Sequence, residues 1–168
     1  MKALLAPFFI SPRSNIKRYL PHLKYVVDHF EAFASYNFPP LVTSGLKLQV
    51  QHDLLLKNFT QDKLKVHTSL DTDIALIKLF PGIQQAALKS ILETPNLKGV
   101  VLETYGSGNA TTEKWFLDLL SSAISKGIHI INVTQCSGGM VQLGHYETSK
   151  QMRDMGVISA KDMTTEAT

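Results

Sequence analysis

Two short loops hold most of the residues in this chain that could do chemistry side by side. Tyr105-Gly-Ser-Gly-Asn-Ala110 and Thr134-Gln-Cys-Ser-Gly-Gly139 each mix glycines with hydroxyl, amide or thiol groups. Glycine permits positive φ and close approach of backbone, and free amides in such a loop can hold an anion or a developing oxyanion. Gly106-Ser107-Gly108 begins a G-x-G-x-x-G fingerprint, but Thr111 stands where the third glycine belongs, so no dinucleotide site is expected. The plainer reading is a turn whose glycines supply positive φ while Asn109 or Thr111 caps the following helix. Cys136 follows an apolar run and would be a nucleophile if a base stood beside it. Spacing puts neither His129 nor His145 there, and a lone cysteine at a strand end is more commonly a buried small hydrophobe.

Other chemistries find little support. The six histidines show no H-x-x-x-H spacing, so no metal site is expected, and neither a G-x-S-x-G elbow nor a Walker motif occurs. The formal charge of +3 is concentrated at one end: residues 1–24 hold Lys2, Arg13, Lys17, Arg18 and Lys24 with no acid, which leaves the remainder at −2. A nucleic-acid-binding body would spread its cations over a face, so no nucleic-acid partner is expected. With Cys136 as the single cysteine there is no internal disulfide, and a cytoplasmic location is the simpler expectation. Three N-x-T sequons (Asn58, Asn109, Asn132) are read as chance; Asn132 lies inside the apolar run 128–133, where a glycan has no room. The apolar start, residues 1–10, contains Pro7 and lacks a convincing cleavage site, and reads as a core strand rather than a signal peptide. No apolar run is long enough to span a bilayer.

The loops need elements to hold them. From residue 73 the chain alternates apolar runs with helical patterns, the sequence form of parallel βαβ architecture. Ile74 to Phe80 reads as a buried strand, and Pro81-Gly82 as a turn. Ile83, Ala86, Ala87 and Ile91 then recur at helical spacing until Pro95. Val100 to Thr104 is the next strand. Trp115, Phe116, Leu119, Leu120, Ala123 and Ile124 mark one side of a helix that Gly127 ends as C′ residue, and Ile128 to Val133 is a third strand. A short helix holds Met152 and Met155 and ends near Gly156; another begins near Asp162 to Thr165. Ligands in open α/β sheets sit beyond the carboxyl ends of the strands, so Pro81-Gly82, 105–110 and 134–139 are the loops to watch. The fold class expected is α/β: a small parallel-sheet, flavodoxin- or Rossmann-like domain over 73–168, cut within its last helix. Residues 45–72, with alternating Leu46, Leu48, Val50 and Leu64, Val66, read as a hairpin or connector, and residues 1–44 as the tail end of an incomplete amino-terminal α/β domain.

Four stretches together resemble type I, cytoplasmic L-asparaginases: Phe30-Glu-Ala-Phe-Ala-Ser-Tyr-Asn-Phe-Pro-Pro-Leu41, Val101-Leu-Glu-Thr-Tyr-Gly-Ser-Gly-Asn-Ala110, Ile131-Asn-Val-Thr-Gln-Cys136 and Gly156-Val-Ile-Ser-Ala-Lys-Asp-Met-Thr-Thr-Glu-Ala-Thr168. They stand in the family's order over residues 24–168; the first 23 residues match poorly. The resemblance implies a two-domain amidohydrolase that converts L-asparagine to L-aspartate and ammonia without a cofactor, assembled as a homodimer or a dimer of dimers. In that family a threonine of a T-G-G-T turn attacks the amide carbon and a second Thr-Asp-Lys set manages protons. Neither T-G-G-T nor T-D-T occurs in these 168 residues, so the chain is expected to be a carboxy-terminal portion without its nucleophile.

The family's lysine lies six residues before the Phe of F-x-A-F, and that count from Phe30 gives Lys24, although the intervening residues differ. The resemblance further implies that the loop with Asn109 and Thr111 reaches a partner subunit's active site. It also implies an effector site around Thr134, Cys136 and Glu103. Glu103 replaces the arginine that some relatives use there, so weak or absent asparagine activation is expected. Two other readings share these residues: an asparaginase-like subunit of a transfer-RNA-dependent amidotransferase, and a non-catalytic amino-acid-binding or assembly module.

Overall fold

The structure, a computed structural model, describes residues 9–10, 15–17, 23–24, 33–34, 36–44, 46–55 and 69–168; for 9–10, 15–17, 23–24, 33–34 and 44 it describes backbone alone. The chain divides into two compact units, residues 1–70 and 71–168.

In the first unit the described strands pair antiparallel. They are β1 (Phe9–Ile10), β2 (Asn15–Lys17), β3 (Leu23–Lys24), β4 (Phe33–Ala34), β5 (Val42–Ser44) and β6 (Leu48–Val50). One sheet runs β1-β2-β5-β6, and β3 pairs with β4 so that Lys24 lies opposite Phe33. The strand expected over residues 1–10 falls on described residues only at β1. Leu46, Leu48 and Val50 do alternate, but all three face water, so here the alternation does not mark a buried face. Leu64 and Val66 lie outside the described residues.

The second unit contains β7 (Ile74–Lys78), α1 (Gln85–Leu92), β8 (Gly99–Thr104), α2 (Lys114–Ser125), β9 (His129–Thr134), α3 (Glu147–Asp154) and β10 (Ile158–Ser159), followed by a 3-10 turn at Thr165–Ala167. The strands form one parallel sheet in the order β10-β9-β8-β7. Each crossover joins neighbours in the same sense, and right-handed connections of that kind all fall on one face. The core agrees. Ile77, Leu79, Val100, Leu102 and Ile130 of the sheet cluster with Leu88 and Leu92 of α1, Phe116, Leu120 and Ala123 of α2, and Met152 of α3.

Two expectations change. The buried residues of α1 are Leu88 and Leu92; Ile91 packs partly buried beside them and Ile83 packs against the same core from the turn before the helix, which starts only at Gln85, whereas Ala86 and Ala87 are exposed. The run 74–80 is buried on one side only; Ile77 and Leu79 point into the core, whereas Ile74, Leu76 and Phe80 are more than half exposed.

Boundaries between elements have local causes. Gly127 ends α2 at φ +88°, with its N–H donating to the Ile124 carbonyl and that of Ile128 to the Ala123 carbonyl. At α3 the buried Ser149 hydroxyl accepts the N–H groups of Gly144 and Tyr146 and donates to the Tyr146 carbonyl, closing the helix start. Lys98 ties the start of β8 to the chain before β7, its Nζ lying 2.8 Å from Asp71 and 2.9 Å from Asp73. The hydrogen bond from Lys98 holds the Asp71 carboxyl below its ordinary range. Its small, screened contribution to stability is therefore present above the unfolded carboxylate range and is lost as pH falls through the lowered value.

Candidate functional site

The three parallel strands β7, β8 and β9 end side by side, and the residues beyond them knit those ends together. Gln135 does most of this: its backbone N–H donates to the Thr104 carbonyl, and its side-chain Nε2 donates to the Leu79 carbonyl at 2.6 Å and the Glu103 carbonyl at 3.0 Å. Thr134 uses its hydroxyl twice, donating to the Gly106 carbonyl at 2.5 Å and accepting the Cys136 N–H at 3.0 Å. Cys136 itself is exposed, and no described side chain hydrogen-bonds its thiol, so the structure gives it no base. His145 and His129 are both exposed and make no described bond to it.

The 105–110 loop is fixed through three successive carbonyls. Gly106 accepts from Thr134, Ser107 accepts the Gln142 N–H at 2.9 Å, and Gly108 accepts Nδ2 of Asn132 at 3.4 Å. Tyr105 and Asn109 exchange both backbone bonds at 2.8 Å across its neck. Asn132 is fully buried, and its Oδ1 also accepts the Thr104 hydroxyl at 2.6 Å. Buried amides are tolerated when both ends are bonded, and here the bonding aims a loop. The side chain of Asn109 remains partly exposed, with no described residue bonded to its amide. Thr111 accepts the Glu113 N–H at 3.3 Å in the turn ahead of α2, but neither it nor Asn109 caps the helix as the sequence suggested: the N-cap position is Glu113, and no side chain bonds the first-turn amides there.

Glu103 sits apart from these hydroxyls. Strand alternation places it on the face opposite Thr104 and Thr134, in register with Lys78 and Val133. Its carboxylate is nearly buried and already engaged, by Lys78 Nζ at 3.0 Å on one oxygen and by the Thr165 hydroxyl on the other. The structure thus brings Thr134 and Cys136 together in one turn and joins that turn to the 105–110 loop, while the Glu103 carboxylate serves the 3-10 turn near the chain's end. Lys24 belongs to the first unit, where its backbone pairs in β3. Sequence reasoning passed over Gln135 and used Asn132 only to dismiss a sequon. The signal was a lone amide inside an otherwise apolar strand, which must find partners. Among the described residues no group of three His, Cys, Asp or Glu could hold a metal ion, and no helix is long and apolar enough to cross a membrane.

Parallel strands whose carboxyl ends carry glycine- and hydroxyl-rich loops, tied together through their own carbonyls, define a domain of the open α/β class. Residues 73–168 match the family model of the Glutaminase/Asparaginase C-terminal domain, and the chain belongs to that family. It is similar to the 60 kDa lysophospholipase of Mus musculus, 40% identical over 138 residues that make up 82% of this chain and 24% of the relative. It is also similar to L-asparaginase 1 of Escherichia coli K12, 37% identical over 141 residues, 84% of this chain and 41% of the relative. Among solved structures, L-asparaginase I from Vibrio cholerae superposes with a TM-score of 0.83 at 33% identity, covering 95% of this chain and 47% of that one. The chain therefore spans less than half the length of these relatives.

Proposed function

We propose that this chain supplies the carboxy-terminal part of an asparaginase-type amidohydrolase, in which L-asparagine and water become L-aspartate and ammonia. The observation that carries the reading is the joined pair of loops, 105–110 and 134–136, on a domain of the Glutaminase/Asparaginase C-terminal family. On this reading the nucleophilic hydroxyl comes from residues outside these 168. It adds to the amide carbon, ammonia leaves, and water then hydrolyses the acyl intermediate. Lys24 moves a proton at that centre. Asn109 and Thr111 reach the active site of a second subunit in a cytoplasmic homodimer or dimer of dimers. No cofactor, metal, nucleic acid or membrane is needed. The test is Lys24→Met in a chain completed with the missing catalytic segment. Turnover of L-asparagine is expected to fall by about a hundredfold or more, the contribution of a positioned proton-transfer group, with KM changed far less. Unchanged turnover would remove Lys24 from the mechanism.

The surroundings of Thr134, Cys136 and Glu103 bear on regulation. An effector site for an amino acid must hold an α-carboxylate, which an arginine does with two charge-assisted bonds. Glu103 offers the wrong sign of charge, and Lys78, the cation beside it, is already paired. The completed enzyme is therefore expected to show a hyperbolic dependence of initial rate on L-asparagine. A sigmoidal curve that becomes hyperbolic on Cys136→Ser would contradict this.

A further inference from the structure

Strands β8 and β9 place two polar side chains on the helix-covered face of the sheet. Thr104 and Asn132 are fully buried there, as are Leu102 and Ile130 on the same face. A buried hydroxyl and a buried amide each lose their water, and two apolar groups of the same shape would serve a core as well or better. Stability alone therefore does not account for the pair. What the two groups do is directional. The Thr104 hydroxyl donates to Asn132 Oδ1 at 2.6 Å, which turns the other end of the amide, Nδ2, toward the Gly108 carbonyl at 3.4 Å. The same nitrogen lies against Gly108, 3.3 Å from where a Cβ would stand, with Val141 and Leu143 beside it.

The Gly108 carbonyl belongs to the peptide unit that leads into Asn109. The N–H at the other end of that unit donates to the Tyr105 carbonyl at 2.8 Å, and the carbonyl of Asn109 itself accepts the Tyr105 N–H at 2.8 Å. The backbone groups on both sides of the Asn109 Cα are thus held, while its side-chain amide bonds no described residue. We propose that Asn132, oriented by Thr104, is a positioning residue: it fixes the direction in which Asn109 leaves the loop, and so the place where the Asn109 amide meets a substrate. This role rests on the reading above, that Asn109 reaches an active site. Asn132 touches no reacting atom and acts only through the Gly108 carbonyl. An amide suits the task because it accepts at one end and donates at the other, which an ionised carboxylate of the same shape cannot do.

Amide hydrogen exchange on the full 168-residue chain, followed residue by residue, tests the hold without any need for activity. In a chain carrying both Thr104→Val and Asn132→Leu, apolar replacements of similar shape, the Asn109 amide is expected to exchange about tenfold faster than in wild type, because its peptide unit has lost one of two anchors. The Leu102 and Ile130 amides should keep their wild-type rates, and the thermal midpoint should move by no more than a few degrees. Thr104→Ser, which keeps the hydroxyl, should leave the Asn109 amide as protected as in wild type. In a chain completed with the missing catalytic segment, the two substitutions together should lower kcat/KM for L-asparagine by about tenfold to a hundredfold, the cost of a misplaced group. Asn109 exchange that the substitutions leave unchanged overturns the proposal. So does loss of folding, or exchange that quickens at Leu102 and Ile130 in step with Asn109, since either would make the pair a structural one. Wild-type kcat/KM in a completed chain whose loop has loosened overturns it too. A completed wild-type chain that folds yet is inert sinks the reaction rather than the hold, which the exchange rates decide by themselves.

Discussion

Incubated alone with L-asparagine, the chain is expected to release ammonia no faster than buffer. Loss of a nucleophile together with its activating group typically costs on the order of a millionfold in turnover. No described hydroxyl or thiol is set up to replace it. Thr104 donates to Asn132, and Thr134 donates to the Gly106 carbonyl. The thiol of Cys136 has no described base. Thr165 does donate to the Glu103 carboxylate, but that carboxylate is already ion-paired with Lys78 and lies on the sheet face opposite Thr104 and Thr134, away from the joined loops. A coupled assay for ammonia on the purified chain checks this. Release above background that disappears in Cys136→Ser or Thr165→Ala would contradict it and would locate the nucleophile.

The second large effect is expected at Gly108. Its φ is +110°, and a Cβ added there would lie 2.9 Å from Val141 Cγ1, 3.3 Å from Asn132 Nδ2 and 3.5 Å from Leu143 Cδ2. Gly108→Ala thus combines backbone strain of about 1–3 kcal/mol with overpacking of similar size, and it presses on the one side chain that holds the loop's last carbonyl. A loss of about 2–5 kcal/mol is expected, which for a unit of this size lowers the thermal midpoint by about 10 °C or more. Gly106 provides the comparison. It has φ +49° and nothing within 4 Å of where a methyl group would lie, so Gly106→Ala should cost only about 1–2 kcal/mol, the strain of a left-handed alanine. Differential scanning calorimetry on the two variants decides it, and equal midpoints would show that the 105–110 loop yields where the contacts say it is held.

How much of this was legible beforehand varied with the length of the signal. β8, β9 and α2 were plain because their apolar residues recur over six or more positions, and Phe116, Leu120 and Ala123 are indeed the buried stripe of α2. β10 was not seen, since Ile158–Ser159 is too short for any periodicity to register. β7 was seen, but not its two different faces: Ile74, Ala75, Leu76 and Ile77 are all apolar, and hydrophobicity alone cannot say which side a neighbouring layer covers. Within the site, the glycine- and hydroxyl-rich loops announced themselves by composition. Their fastening did not, because the bonds from Gln135 to Leu79, Thr134 to Gly106 and Asn132 to Gly108 span 56, 28 and 24 residues. The engagement of Glu103 by Thr165 is likewise a long-range contact that no local pattern encodes.

Joining this chain behind the segment of Escherichia coli L-asparaginase 1 that precedes their region of similarity puts the proposed function to its sharpest test. Ammonia release from L-asparagine by the purified fusion is then measured. The folded fusion is expected to hydrolyse L-asparagine while the unfused chain does not, and Gly108→Ala in the fusion is expected to lower the rate by disordering the loop that carries Asn109. A fusion that is folded by circular dichroism yet inert toward L-asparagine, or an unfused chain as active as the fusion, would rule out the asparaginase reading.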